Sequence, residues 1–244
     1  MPEIGWNARH WDGDYDWTKR GEEWSVEYGG SEPQWFGSLY PRLHRFLPAR
    51  AILEIAPGFG RWTRFLLPMC QRYLGIDLSG QCVESCKSSF VNAGHAQFLK
   101  NDGMSLDAAP DNTFDLVFSF DSLVHADAGV LDSYVPQILR KLAPRGIAFV
   151  HHSNAAALPL VEEIPHARSA SVSAESVASA VRGAGGNVLV QEITTCGGDG
   201  MIDCLSLFCR RERGSETAAL RIWNPKFGVE AEIIGAMQAP YSRI

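Results

Sequence analysis

The residues able to do chemistry in this 244-residue chain stand at the ends of successive apolar runs. Glu54 precedes Ala56-Pro57-Gly58-Phe59-Gly60; Asp77-Leu78 follows, then Asn101-Asp102-Gly103, then Ser119-Phe120-Asp121 with His125, and last His151-His152-Ser153-Asn154. Gly58 and Gly60 allow positive φ and a close backbone approach, and a helix opening after such a turn offers unpaired N–H groups to a ligand. No third glycine follows at the dinucleotide spacing, and no Gly-Lys-Ser/Thr closes a phosphate loop. Asp77 lies about twenty residues beyond the turn, where a carboxylate can bond ribose hydroxyls. Asp102 could accept from an adenine amino group. A histidine titrates near neutrality and suits a general base. His151 and His152 alternate across a strand end, so one of them faces a site. The later, His152, is the expected base and His125 its competitor. Asp121 could orient that base, bind a substrate hydroxyl or hold a divalent cation.

The elements that must position these groups alternate between strand and helix. Ala51 to Ile55 is a strand; Pro57 to Gly60 is a turn; Arg61 to Leu67 has helical spacing, with Trp62, Phe65 and Leu66 on one face. Arg72 to Leu78 is the second strand, with Ser79 an N-cap for the next helix. Ala96 to Leu99 and Phe114 to Phe120 are the third and fourth strands. Asp132 to Leu142 reads as a helix despite Pro136, Pro144-Arg145-Gly146 as a turn, and Ile147 to Val150 as the fifth strand. Ser173 to Ala184 is a helix capped by Ser173 or Ser176. Val188 to Thr194 and Ile202 to Cys209, on a short connection, predict an antiparallel hairpin. The pattern implies an α/β fold with a mostly parallel sheet, whose ligands bind beyond the carboxyl ends of the strands.

The flanks differ. Residues 1–50 form a cap with five of the seven tryptophans (Trp6, Trp11, Trp17, Trp24, Trp35) and no clean period before the helical spacing of Ser38 to Leu47. So many aromatic rings must pack on something, as a strap or as a lid over the site. Residues 51–210 form the ligand-binding domain, and 211–244 a tail that packs or mediates association, as in a homo-oligomer. A hydrophobic content of 45%, 20% charged residues and a net charge of −6 fit a soluble globular protein and argue against a nucleic-acid backbone as partner. No apolar run reaches membrane-spanning length and no signal pattern opens the chain, so a cytoplasmic protein with no membrane partner is expected. The six cysteines form no CxxC pair, which favours reduced core thiols over zinc.

The order Glu54, Gly58-x-Gly60, Asp77, Asn101-Asp102-Gly103, Ser119-Phe120-Asp121 resembles the cofactor site of Rossmann-like S-adenosylmethionine-dependent methyltransferases across roughly residues 51 to 155. The resemblance implies a seven-stranded sheet with a C-terminal antiparallel hairpin. It also implies a cofactor shell of Glu54, Ala56, Gly58, Gly60, Asp77, Leu78, Asn101, Asp102, Gly103, Ser119 and Phe120. In that shell the glycines approach the methionine part, Asp77 the ribose and Asp102 the adenine. Ala56-Pro57 stands where the family commonly has a glycine, and Phe59 where it has a small residue. Trp24-Ser25, Gly29-Gly30-Ser31, Gln34-Trp35, the run FSFDSLVHAD and His151-His152-Ser153-Asn154 are similar to bacterial sugar O-methyltransferases, most nearly those of methylated mannose polysaccharides. That similarity implies a sugar or oligosaccharide substrate. Asp121 with Asn154 resembles magnesium ligation in metal-dependent O-methyltransferases, although the second-site acids are not matched; Mg2+ therefore stays open. Asp199 and Asp203 are further acceptor-site candidates. A carboxyl, amine or phenol acceptor, or a non-catalytic cofactor-binding relative, are the alternative readings.

Overall fold

Strand β1 (Ala49–Ile55) is buried almost throughout and lies between two parallel neighbours, β2 (Cys70–Asp77) and β4 (Phe114–Ser119). The computed structural model describes residues 3–159, 165–195, 200–211 and 218–242. Strand β3 (Ala96–Lys100) pairs with β2, and β5 (Leu142–Ser153) with β4, all parallel. Strand β7 (Asp203–Arg210) runs antiparallel between β5 and β6 (Gly186–Thr194), the expected hairpin. The order β3-β2-β1-β4-β5-β7-β6-β8 reverses direction at β1/β4, the crevice where sheets of this class receive ligands.

Side chains alternate across the sheet and supply two cores. Leu53, Val117, Ala148 and Val150 face one layer, covered by helices Ala128–Lys141 and Ala174–Gly183. Ile52, Leu116, Phe118 and Phe149 face the other, covered by helix Gly80–Ser89, by Trp35, Leu39 and Leu43 from the N-terminal segment, and by Phe227 and Ala231 near the C-terminus. Ser79 caps its helix by accepting from the Cys82 N–H. Ser173 caps the later one in a reciprocal box with Ser176, so the two serines cooperate rather than compete.

Three sequence expectations change. The sheet has eight strands: β8 (Leu220–Asn224) lies within the presumed tail and pairs parallel to β6 at the sheet edge. Its apolar residues are largely exposed, so it has no half-buried alternation to read. Strand β5 begins at Leu142 and absorbs Pro144-Arg145-Gly146 through a register shift against β4. The helix after the glycine turn is only Thr63–Leu66 before a tighter turn over Leu67–Met69, where Pro68 lacks an amide donor. Residues 4–36 hold short helical turns and loops, as their missing period implied, whereas the helical spacing of Ser38 to Leu47 is spread over the successive short turns Trp35–Leu39, Tyr40–Leu43 and His44–Phe46. Among the described residues no helix is long and apolar enough to cross a membrane.

Candidate active site

A cavity opens at the β1/β4 crevice, enclosing about 910 Å3 of empty space, part of it open to solvent. Its sheet-side wall contains Ala56, Gly58, Asp77, Leu78, Asn101, Gly103 and Phe120, all expected from sequence. Gly58 has φ of 59° and lies against Trp17, so a side chain there would be strained and crowded. Ala56 takes φ of 57°, the left-handed conformation a glycine adopts freely, which fits the glycine that the resemblance implies at that place. Asp77 accepts from the Gly58 N–H at 2.9 Å and the Ser79 N–H at 2.8 Å, fixing the glycine turn and the helix start relative to each other. Burial raises its pKa, and the backbone bonds oppose that rise.

Four residues expected in the cofactor shell lie outside this wall. Glu54 is buried beneath the turn, where it accepts from Thr63 Oγ1 at 2.8 Å and from Tyr73 Oη. Burial pushes its pKa up to about 7 against those two bonds, so it is a scaffold group. Gly60 serves packing: a Cβ there would stand 2.5 Å from Phe90. Ser119 is fully buried and donates to the Ile55 carbonyl at 2.9 Å. Asp102 is exposed and accepts from the N–H groups of Met104 and Ser105, capping its own turn, so Asn101 and Gly103 face the cavity in its place.

The outer wall comes from the N-terminal segment, through Trp11, Trp17, Arg20 and Trp24. Trp17 stacks on Phe59 with centroids 4.5 Å apart, and Arg20 donates to the Phe59 carbonyl at 3.1 Å. Asp12 accepts from Ser79 Oγ and the Gln81 N–H and pairs with Lys100 at 3.2 Å. The aromatic density of the cap is thus spent partly on roofing this cavity. A second cavity adjoins the first and shares Trp11, Trp24, Asp121 and His125 with it. It adds Tyr15, Glu23, Glu27 and Tyr28 from the cap, with His166 and Arg168 from the loop after β5.

The expectation that His152 faces an acceptor is not met. Its ring is fully buried between strands, with Nδ1 2.8 Å from the Ser153 carbonyl and Nε2 2.8 Å from Ser206 Oγ, and it lines neither cavity. Burial lowers its pKa to about 4. His151 is equally buried; its Nδ1 accepts from the Asp121 N–H at 3.1 Å, which puts the ring proton on Nε2, 3.6 Å from Asp203. It stacks on Phe120 and holds Asp121 in place, itself outside both cavities. Asn154 is committed to the Met201 carbonyl and the Ala174 N–H. Asp203 is buried against Arg168, and Asp199 lies outside the described residues.

Asp121 sits at φ of 58° between two guanidinium groups, Arg61 at 2.7 Å and Arg168 at 3.4 Å. Burial alone would raise its pKa, but the two arginines outweigh burial and hold it at about 2. Both oxygens are taken, and a divalent ion would meet two positive charges, so these residues do not fit Mg2+. No group of three or more His, Cys, Asp or Glu among the described residues is arranged for a metal. His125 remains. Its Nδ1 donates to the Ala167 carbonyl at 3.0 Å, leaving the Nε2 lone pair, and it borders both cavities. Burial, then Arg168, lowers its pKa to about 4.

Sequence reading overlooked Arg61, Arg168 and Tyr134. Arg61 directly follows the Gly-x-Gly turn, a position that signals proximity to the ligand, but the helical spacing drew attention only to the shared face of Trp62, Phe65 and Leu66. Arg168 had no local signal, because its partners Asp121 and Asp203 are distant in sequence. Tyr134 accepts from Asn101 Nδ2 at 2.9 Å and lines the first cavity beside it.

Residues 52–146 match the family model described as a methyltransferase domain. Among solved structures, an S-adenosylmethionine-dependent methyltransferase from Clostridium acetobutylicum superposes with a TM-score of 0.58 at 14% identity, covering 82% of this chain and 97% of that one. A protein from Pyrococcus horikoshii gives 0.57 at 19% identity over 71% and 88%. A glycopeptide N-methyltransferase complexed with S-adenosylmethionine gives 0.51 at 16% identity over 67% and 82%. A search of curated proteins finds no match. The superpositions show the Rossmann-like fold, and the domain match adds a likeness to methyltransferase domains over residues 52–146.

Proposed function

We propose that this chain is an O-methyltransferase that moves the methyl group of S-adenosylmethionine to a hydroxyl of a sugar or oligosaccharide, a mannoside in the narrowest form of the reading. The observation that carries it is the pair of adjoining cavities with His125 on their shared border. The first cavity has the backbone turn, the buried carboxylate of Asp77 and the apolar end that a nucleoside needs. The second combines aromatic ring faces with carboxylates, a combination suited to stacking on a sugar ring and accepting from its hydroxyls. The sugar assignment rests further on the similarity of FSFDSLVHAD and the surrounding residues to sugar O-methyltransferases.

The cofactor, when bound, supplies an electrophilic methyl group and its own leaving group. The protein must align an acceptor oxygen and receive its proton. His125 is the base in this reading. The Ala167 carbonyl fixes the tautomer with Nδ1 protonated, so Nε2 is the acceptor. With its pKa near 4 the ring is neutral at physiological pH and takes the proton late, as the oxygen becomes strongly acidic on gaining the methyl group. Asp121, clamped by Arg61 and Arg168, is a positioning residue: it fixes the β4 end and the loop bearing His125.

His125→Ala assayed with labelled S-adenosylmethionine and a panel of mannosides and other sugars should lose roughly 10²–10⁴-fold in turnover. Its affinity for S-adenosylhomocysteine should stay within about twofold, since one bordering ring is removed while the Asp77 bonds persist. Near-normal turnover with normal binding removes His125 as the base. A chelator should leave wild-type activity unchanged; activity lost and restored by magnesium would overturn the assignment of Asp121 to its arginines.

A further inference from the structure

The second cavity holds more negative charge than the protein neutralises. Of its carboxylates, Asp121 is matched by Arg61 and Arg168, and Arg168 also serves Asp203. Glu23 and Glu27 pair with no Lys or Arg among the described residues. Glu23 Oε1 accepts from Tyr15 Oη, whereas Glu23 Oε2 is buried and has no hydrogen-bond partner. A buried carboxylate oxygen left bare is unfavourable and calls for a donor that brings positive charge. Aromatic rings surround the same space. Trp11, Tyr15 and Trp24 lie with mutual centroid distances of 5.1 to 5.6 Å, and Trp6 and Tyr28 complete the wall. Ring faces attract cations, and Trp24 already has the Arg61 guanidinium 5.3 Å from its centroid. His10, His125 and His166 also line the cavity.

We infer that this cavity recognises a protonated amine, so that the acceptor is an amino sugar or an oligosaccharide bearing one, its ammonium held by Glu23 within the rings of Trp11, Tyr15 and Trp24. The inference rests on the methyl-transfer reading only in naming this cavity the acceptor's; the recognition itself follows from charge and rings. A neutral sugar would satisfy the rings and leave Glu23 uncompensated. Tyr15 and Glu23 belong to the N-terminal segment, so the segment that roofs the cofactor also selects the acceptor.

The test is binding to the protein saturated with S-adenosylhomocysteine, followed by calorimetry and tryptophan fluorescence. The probes are glucosamine tetrasaccharide, below its amine pKa, and the fully N-acetylated tetrasaccharide of the same backbone. The amine form should bind about tenfold tighter or more. In Glu23→Gln that preference should collapse to about twofold or less, with S-adenosylhomocysteine affinity unchanged as the check on folding. Should Glu23→Gln not fold, the wild-type preference must shrink as salt is raised. Equal binding of the two probes, binding of neither, or a preference that survives in Glu23→Gln overturns the inference. Labelled turnover on the same probes separates the two readings: amine preference without methyl transfer overturns the enzymatic reading alone, and methylation of both probes at equal affinity overturns this one alone.

Discussion

The two cavities that meet at Trp11, Trp24, Asp121 and His125 are built by different means. The first is a product of the sheet. Its sheet-side wall is fixed by backbone, as where Asp77 receives the N–H groups of Gly58 and Ser79. The second is a product of side chains from segments far apart, with Tyr15 and Glu23 preceding the first strand and Arg168 following the fifth. A site made by strand ends keeps its shape while the sheet is intact. A site made by a cap and a loop depends on how those segments are held. The first should therefore fail when one sheet-borne group is lost, and the second should fail by degrees.

Asp77→Ala tests the first half most severely. It removes a buried carboxylate of the cavity wall and also the bonds that fix the glycine turn to the next helix. Cofactor affinity by titration calorimetry should fall by about 2–4 kcal/mol, roughly 30- to 1,000-fold. Asp102→Ala, exposed and outside the cavity, should change affinity by less than about twofold. A large loss at Asp102 with none at Asp77 would reverse the placement of the two acids.

His152→Ala addresses the boundary between scaffold and chemistry. Two hydrogen bonds in a fully buried setting are lost, so stability should fall by about 2–4 kcal/mol, or about 5–12 °C in melting temperature. Turnover per folded molecule should persist, in contrast to His125→Ala. A selective collapse of turnover at unchanged melting temperature would restore His152 as the base.

That contrast also marks how far the sequence was legible. Spacing found the strand ends because each strand's apolar run stops where its carboxyl end meets solvent, and Gly58, Asp77, Asn101 and Phe120, named on that ground, line the cavity. It misplaced Glu54, Ser119 and His152 because strand-end position does not say which face a side chain takes: a shift of one residue turns a cavity wall into core. It missed Arg168 because ion pairs across 47 residues leave no local pattern. It missed β8 because exposed apolar residues at a sheet edge look like a tail.

Acid should separate the halves next. Burial holds His125 and His152 near 4, below the ordinary histidine value of 6.5. For a histidine depressed on folding, the unfolded chain binds the proton first, so stability is full above about 6.5 and is lost as pH falls toward 4. Melting temperature should decline through that window, and His152→Gln should flatten the decline. Turnover should rise with an apparent pKa near 4 and stay level through neutrality, provided the protein remains folded. A midpoint at an unperturbed histidine value would mean that the base is solvated and is not the buried His125.

The smallest effect belongs to the cap, and it bears on whether that segment moves. Asp12 joins it to the sheet domain at the start of helix Gly80–Ser89, accepting from Ser79 Oγ at 2.8 Å and the Gln81 N–H at 3.0 Å and pairing with Lys100. A carboxylate at a helix N-terminus is favoured by the helix dipole, but this one is largely solvent-facing, so its worth is modest. If the segment opens to admit the cofactor, Asp12 stabilises only the closed form. Asp12→Asn should then speed release of S-adenosylhomocysteine about two- to fivefold while leaving association nearly unchanged. Trp17 on Phe59 and Arg20 on the Phe59 carbonyl remain, so closure weakens without being lost. Hydrogen exchange in residues 10–36 should slow when the product binds, and the slowing should be smaller in Asp12→Asn. Identical exchange in free and bound wild type, with release unaltered in the variant, would make the segment a permanent wall, and the acceptor cavity would then be as rigid as the sheet site beside it.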